Sequence, residues 1–150
     1  FPLLLLTPHA RWSIHSTYQD NLIMLTLSRG GPVLWMSEDD AEGIGVADND
    51  WIELYNRNGV VACRAAGSHR IPKGTSLMYH VQDRHVNVPK TELTKTRGGI
   101  HNSLTRINVK PTHLIGGYAQ LSYAFNYYGP TGNQRDEITI SRKRSQDVEY

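Results

Sequence analysis

Short apolar runs alternate with longer polar stretches along this chain, and most of the runs have the length of a strand. Leu3 to Thr7 is apolar and is stopped by Pro8, which predicts a buried strand. Leu22 to Leu27 is apolar as well, but its periodicity fits a strand and a helix equally. Arg29-Gly30-Gly31-Pro32 breaks the chain, and Val33-Leu34-Trp35-Met36 predicts a second strand. Ser37-Glu38-Asp39-Asp40-Ala41 reads as a helix start, because serine suits the cap and acids suit the positive end of the helix dipole. Gly43 and Gly45 predict that this helix is short. Trp51 to Tyr55 and Val60 to Ala65 flank Asn56-Arg57-Asn58-Gly59, and Asn-Gly between two strand-like runs predicts a hairpin. Ile71-Pro72-Lys73-Gly74 is a turn, followed by a predicted strand from Ser76 to Val81. Leu121 to Tyr127 and Glu137 to Ser141 predict the last two strands. The tail Arg142-Lys143-Arg144-Ser145-Gln146-Asp147 is charged and expected in solvent.

This pattern defines a mainly β protein, a single domain over 1–150, with one or two short helices and long loops. Residues Gln82 to Thr112 show no core element, and loops of that length are functional or disordered. Apolar residues make up 39% of the 150, so a modest core is surrounded by loops rich in Gly, Ser, Thr and Asn. A net charge of +2 gives no basic stripe, so no nucleic-acid partner is expected. The sequence pI of about 8.8 still leaves room for a local basic patch facing phosphates. Cys63 is the lone cysteine, which excludes an internal disulfide framework and a Cys-rich cluster within this chain. Its place in a predicted strand makes it a core residue rather than a nucleophile. Phe1-Pro2-Leu3-Leu4-Leu5-Leu6 is too short to span a bilayer, so no direct membrane insertion is expected. The chain starts without Met and reads as a piece of a longer polypeptide, the piece beginning at a buried strand.

Two polar segments carry the candidate chemistry. Thr7 to Tyr18 holds His9, Arg11, His15, Ser16 and Thr17; Arg97 to Arg106 holds Arg97, His101 and Asn102. Imidazoles both donate and accept, so they can read the edge of a heterocycle. Guanidiniums at Arg11, Arg29, Arg97 and Arg106 offer forked donors for phosphate. The paired glycines at 30–31 and 98–99 would let backbone N–H groups approach an anion. The echo between Arg29-Gly30-Gly31 and Arg97-Gly98-Gly99 would suit internal pseudo-symmetry. No zinc-ligand spacing links the histidines, no calcium loop is complete, and no Gly-x-Ser-x-Gly elbow occurs. These motifs describe a binding domain without catalytic residues of its own and without a protein-held metal.

Several longer motifs carry a resemblance. They are Thr7-Pro8-His9-x-Arg11-Trp12-x-Ile14-His15-Ser16-Thr17-Tyr18, Leu27-Ser28-Arg29-Gly30-Gly31-Pro32, Met78-Tyr79-His80, Arg97-Gly98-Gly99-Ile100-His101-Asn102-Ser103 and Lys110-Pro111-Thr112-His113-x-Ile115-Gly116-Gly117-Tyr118. Over nearly the whole chain they resemble the C-terminal molybdopterin-dinucleotide-binding domain of respiratory, membrane-bound nitrate reductase alpha subunits, in the dimethyl sulfoxide reductase superfamily. The resemblance implies a double-psi β-barrel with cofactor-facing loops. It implies a molybdenum bis(molybdopterin guanine dinucleotide) cofactor held between this domain and the remaining domains of the alpha subunit. His9 and His15 would lie against one pyranopterin, and His80 and His101 near the other. Ser16, Thr17 and Asn102 would be hydrogen-bonding neighbours, and Arg135 a further contact. The aspartate ligand to molybdenum and an iron–sulfur cluster would belong to earlier domains of the parent.

The parent would reduce nitrate to nitrite. Electrons would come from quinol through an iron–sulfur beta subunit and a membrane gamma subunit, on the cytoplasmic side of the cell membrane. The chain alone is expected to be soluble and inactive. Two other readings stay open: the same domain in a dimethyl sulfoxide, formate or perchlorate oxidoreductase, and a non-enzymatic double-psi-barrel adaptor.

Overall fold

Apolar residues at every second position give each strand one face to bury, and closing the sheet on itself buries all of those faces at once. The computed structural model describes residues 2–11, 13–14, 17–18, 21–27, 29, 31–79, 89–104 and 137–149. Among them the chain forms β1 (Leu3–Leu6), α1 (Leu22–Leu27), β2 (Val33–Met36), α2 (Glu38–Gly43), β3 (Trp51–Tyr55), β4 (Val60–Gly67), β5 (Thr75–Met78), a 3₁₀ turn (His101–Ser103) and β6 (Glu137–Lys143). The strands close into a barrel in the order β1-β5-β2-β4-β3-β6. β1 runs parallel to β5 and β2 parallel to β4; the other pairings are antiparallel. β1 and β2 follow one another in the chain, yet β5 lies between them, and β2 in turn lies between the successive strands β4 and β5, so the two interlock. A pair of successive antiparallel strands with a third inserted between them is a psi loop. Two such loops make this the expected double-psi barrel.

The interior follows the alternation. Leu3 and Leu5, Leu34 and Met36, Ile52 and Leu54, Val61, Cys63 and Ala65, and Met78 point into one core. Each fully buried aliphatic side chain contributes about 1.5–3 kcal/mol. Thr139 and Ser76 are buried polar exceptions, and their hydroxyls donate to the carbonyls of Leu3 and Leu4, each at 3.3 Å. Ala41 of α2 and Val46 after it belong to the same core.

Local chemistry explains the short helices. Asn21 Oδ1 accepts from the N–H groups of Ile23 and Met24, so a capping asparagine decides the ambiguous Leu22–Leu27 run in favour of helix. None of the residues of α1 is buried. Ser37 does occupy the cap position of α2, but its side chain makes no capping bond. Asp40 Oδ2 instead accepts from Gly74 N at 2.7 Å, tying α2 to the turn before β5. The expected hairpin forms, with the Asn56 side chain accepting from Asn58 N and Gly59 N inside the turn. The predicted strand Leu121 to Tyr127 lies outside the described residues.

Two expectations are corrected. The charged tail is not a solvated run: β6 continues to Lys143, and Arg144 is only 8% exposed. Its partner, Glu53, is 91 positions away, which no local reading detects. The stretch from Gln82 to Thr112 does supply core, because Leu104 is fully buried, and Pro89 and Thr91 are buried as well.

Candidate functional site

Strand polarity decides where the polar segments meet. β1, β3 and β5 run toward one mouth of the barrel, and β2, β4 and β6 run away from it. The segment after β1, carrying His9, Arg11 and Thr17, therefore leaves the barrel at that mouth. So do Tyr79 after β5 and the 56–59 turn between β3 and β4. The 3₁₀ turn with His101 and Asn102 is tied to the same mouth. Asn56 and Asn58 each donate an amide N–H to the Leu104 carbonyl at 2.8 Å. His9, Arg11, Thr17 and Asn102 are exposed there, and His101 is half-buried; Arg97 is exposed where its strand-like bridge to Lys90 lies beside the middle of β3 and β4. His15, Ser16, His80 and Arg135 lie outside the described residues.

The mouth also has a charge character. Among the described residues, segments 7–18, 29–32, 56–59 and 98–104 contain no carboxylate, Arg11 and Arg57 supply positive charge, and Glu137 is the one acid that begins a strand at this end. The acids Glu38, Asp39, Asp40, Glu42, Asp48 and Asp50 all fall on α2 and the connection to β3, which serve the opposite end. Such segregation makes the mouth suited to an anion.

The two Arg-Gly-Gly segments turn out to differ. Arg29 is directed down the side of the barrel, where its guanidinium donates to both Asp48 oxygens at 2.9 and 3.1 Å and sits 5.6 Å from the Trp35 ring. Gly31 has open space around it. Gly98 and Gly99 instead press backbone against backbone: a Cβ would fall 2.3 Å from Pro89 O at the first and 2.4 Å from Val60 O at the second. Gly99 also has φ +72°, which a side chain disfavours. Close packing of loop on barrel, rather than an anion cradle, is what these two glycines permit. Gly98 O accepts from Ala62 N at 2.8 Å, so the loop pairs with β4 where β2 no longer reaches.

A second cluster supports this loop, and it carries residues that motif reading overlooked. Glu53 lies between Ile52 and Leu54 in β3, so alternation turns it to the outer face of the barrel, yet it is fully buried. Its carboxylate accepts from Arg142 Nη2 at 2.9 Å, Arg144 Nη1 at 3.0 Å, Leu93 N at 3.2 Å and Glu92 N. Glu92 in turn accepts from Ser145 N at 2.8 Å and Gln146 N at 2.6 Å. Burial works to raise the Glu92 carboxyl, but the donors from Gln146 and Ser145, with Arg144 nearby, outweigh it and hold the group below the usual carboxylate range. The available signal was a single acid inside the apolar run Trp51-Ile52-Glu53-Leu54-Tyr55. Cys63 is buried in the core as expected, and burial, with a smaller contribution from Glu53, pushes its thiol far up. Among the described residues no three His, Cys, Asp or Glu side chains group as metal ligands, and no helix is long and apolar enough to cross a membrane.

A closed double-psi barrel whose mouth gathers histidine, arginine and asparagine among the described residues defines a binding domain for an anionic, heteroatom-rich ligand. The chain belongs to the family described as "Molydopterin dinucleotide binding domain", whose model matches residues 3–121. It is 68% identical over 138 residues to the nitrate reductase alpha chain of Bacillus subtilis (strain 168), covering 92% of this chain and 11% of that protein. It is 62% identical over 138 residues to the respiratory nitrate reductase 1 alpha chain of Escherichia coli (strain K12), again covering 92% and 11%. Acetylene hydratase from Pelobacter acetylenicus shares the fold, with a TM-score of 0.63 at 15% identity over 96% of this chain and 18% of that one. The chain thus spans about a ninth of the length of the two nitrate reductase chains.

Proposed function

We propose that this domain binds and orients a molybdenum bis(molybdopterin guanine dinucleotide) cofactor at its mouth, as one domain of a nitrate reductase alpha subunit. The observation that carries this reading is the mouth to which strand polarity brings His9, Arg11, His101 and Asn102. That donor set fits a ligand combining pterin edges with phosphates. Arg11 and Arg97 would serve phosphate oxygens as forked donors. His9, His101, Thr17 and Asn102 would read ring and amide edges. His15, Ser16, His80 and Arg135 belong to the same proposed set through their motifs. Arg29 would have to leave Asp48 to join it. When bound, the molybdenum centre supplies oxygen-atom transfer; this chain's residues hold and orient the ring systems and set the field around them.

The high identity to two nitrate reductase alpha chains favours nitrate as the substrate of the whole subunit, reduced to nitrite and water with two electrons and two protons. The aspartate ligand and an iron–sulfur cluster would come from the remaining domains. Electrons would arrive from quinol through an iron–sulfur beta subunit and a membrane gamma subunit, placing the complex at the cytoplasmic side of the membrane. The apolar side chains of α1, exposed near the same mouth, suit burial against another part of such a subunit.

The test uses the full-length subunit that carries this sequence. Purified protein should contain molybdenum and release guanine nucleotide on acid hydrolysis, and should reduce nitrate with a viologen donor. Arg97→Ala and Asn102→Ala should lower the molybdenum content or shift the molybdenum potential. A subunit free of molybdenum, or both variants indistinguishable from wild type in content and potential, would sink the proposal.

A further inference from the structure

A fully buried carboxylate on the outside of a barrel is costly, because desolvating charge is repaid only by good geometry. An apolar residue at Glu53 would cover the same strand face without that cost. What the charge adds is direction: both oxygens of Glu53 are engaged, and each of the four donors comes from a segment that must be held. Glu92 N and Leu93 N belong to the loop; Arg142 and Arg144 belong to the end of β6 and the turn beyond it. Arg144 also donates to Lys90 O at 2.6 Å and to Asp147 O at 3.2 Å, so one guanidinium joins barrel, loop and tail. Arg142 Nη2 reaches Glu92 Oε2 at 3.5 Å, which closes the set into two carboxylates and two guanidiniums.

From this clasp the loop has little freedom before it reaches the mouth. Thr91 N donates to Thr96 O at 2.7 Å, and Lys90 bridges to Arg97. Gly98 and Gly99 lie against Pro89 and Val60. The 3₁₀ turn follows, and the Asn56 and Asn58 amides secure its far side at Leu104. His101 and Asn102 are therefore suspended between two anchors.

We propose that Glu53 is a positioning residue: through the Glu53–Arg142–Arg144–Glu92 clasp it sets where His101 and Asn102 stand at the mouth. This rests on the reading of that mouth as the cofactor site. Glu53 touches no ligand itself; it acts through the loop. Replacing it by glutamine leaves the shape and removes the charge that the buried Arg144 and the half-exposed Arg142 share.

The experiment takes the full-length subunit as wild type, Glu53→Gln and Glu92→Gln, and measures amide exchange over residues 89–104 together with the molybdenum(V) paramagnetic resonance spectrum. In Glu53→Gln, exchange over 89–104 should rise about tenfold or more while β1 and β2 stay protected, and the spectrum should shift from that of wild type. If Glu53→Gln fails to accumulate, Glu92→Gln, which loosens only the loop and tail side, should show the same two changes to a smaller extent. Wild-type exchange over the loop, or a loosened loop with an unchanged spectrum and full molybdenum content, overturns the positioning role. A wild-type subunit without molybdenum overturns the cofactor reading instead, and the exchange measurement then still decides whether the clasp holds the loop.

Discussion

At Gly98 a single hydrogen atom decides whether the loop can lie on the barrel. A methyl group there would meet the Pro89 carbonyl and the Ala62 Cβ, whereas Gly31 faces open space. Gly98→Ala should therefore destabilise the protein by about 1–3 kcal/mol. Gly31→Ala should stay within about 0.5 kcal/mol of wild type. Urea unfolding of the two variants checks this, and equal midpoints would contradict it. Cys63 gives a second residue-scale expectation. Its thiol is enclosed and held protonated by burial and by the nearby Glu53 charge. The native protein should not react with a thiol reagent at mildly alkaline pH, and full reaction should appear only in denaturant.

Among the elements, the end of β6 and the 89–97 loop depend on charge as much as on packing. Glu92 is held below the ordinary carboxylate range in the folded protein. A carboxylate depressed by folding adds stability above its unfolded pKa of about 4.3 and loses it as pH falls through the lower, folded value. Wild type should thus lose more stability than Glu92→Gln on acidification from about pH 6 to about pH 3. Denaturant midpoints across that range measure the difference, and parallel curves for the two proteins would refute it. The contrast with β3 is instructive. Its inward residues Ile52 and Leu54 are held by apolar burial, which is insensitive to pH, while its outward Glu53 depends on partners from two other segments.

For the molecule as a whole, the exposed apolar side chains of α1 stand out, with Leu22 78% and Ile23 71% exposed. Neighbouring exposed apolar residues at this density mark a surface that another surface covers. The chain by itself should self-associate through that helix. Leu22→Ser combined with Ile23→Ser should raise the concentration at which it does so, as read by sedimentation velocity. An unchanged association profile would move the contact elsewhere.

The sequence by itself determined the local plan: strand segments at period two, the Asn-Gly hairpin, the short acidic helix, a buried Cys63, and the motifs that carry the family likeness. Those signals lie within a few neighbouring residues, where backbone sterics and side-chain alternation operate. Tertiary structure alone decided the rest. It set the order of strands around the barrel, sent Arg29 away from the mouth to Asp48, and made Gly98 and Gly99 packing positions. It also turned the charged segment after Ser141 into partners for Glu53. Each of those outcomes joins groups far apart in the chain, and a buried charge or a bare glycine acquires its meaning only from the group that folding brings against it.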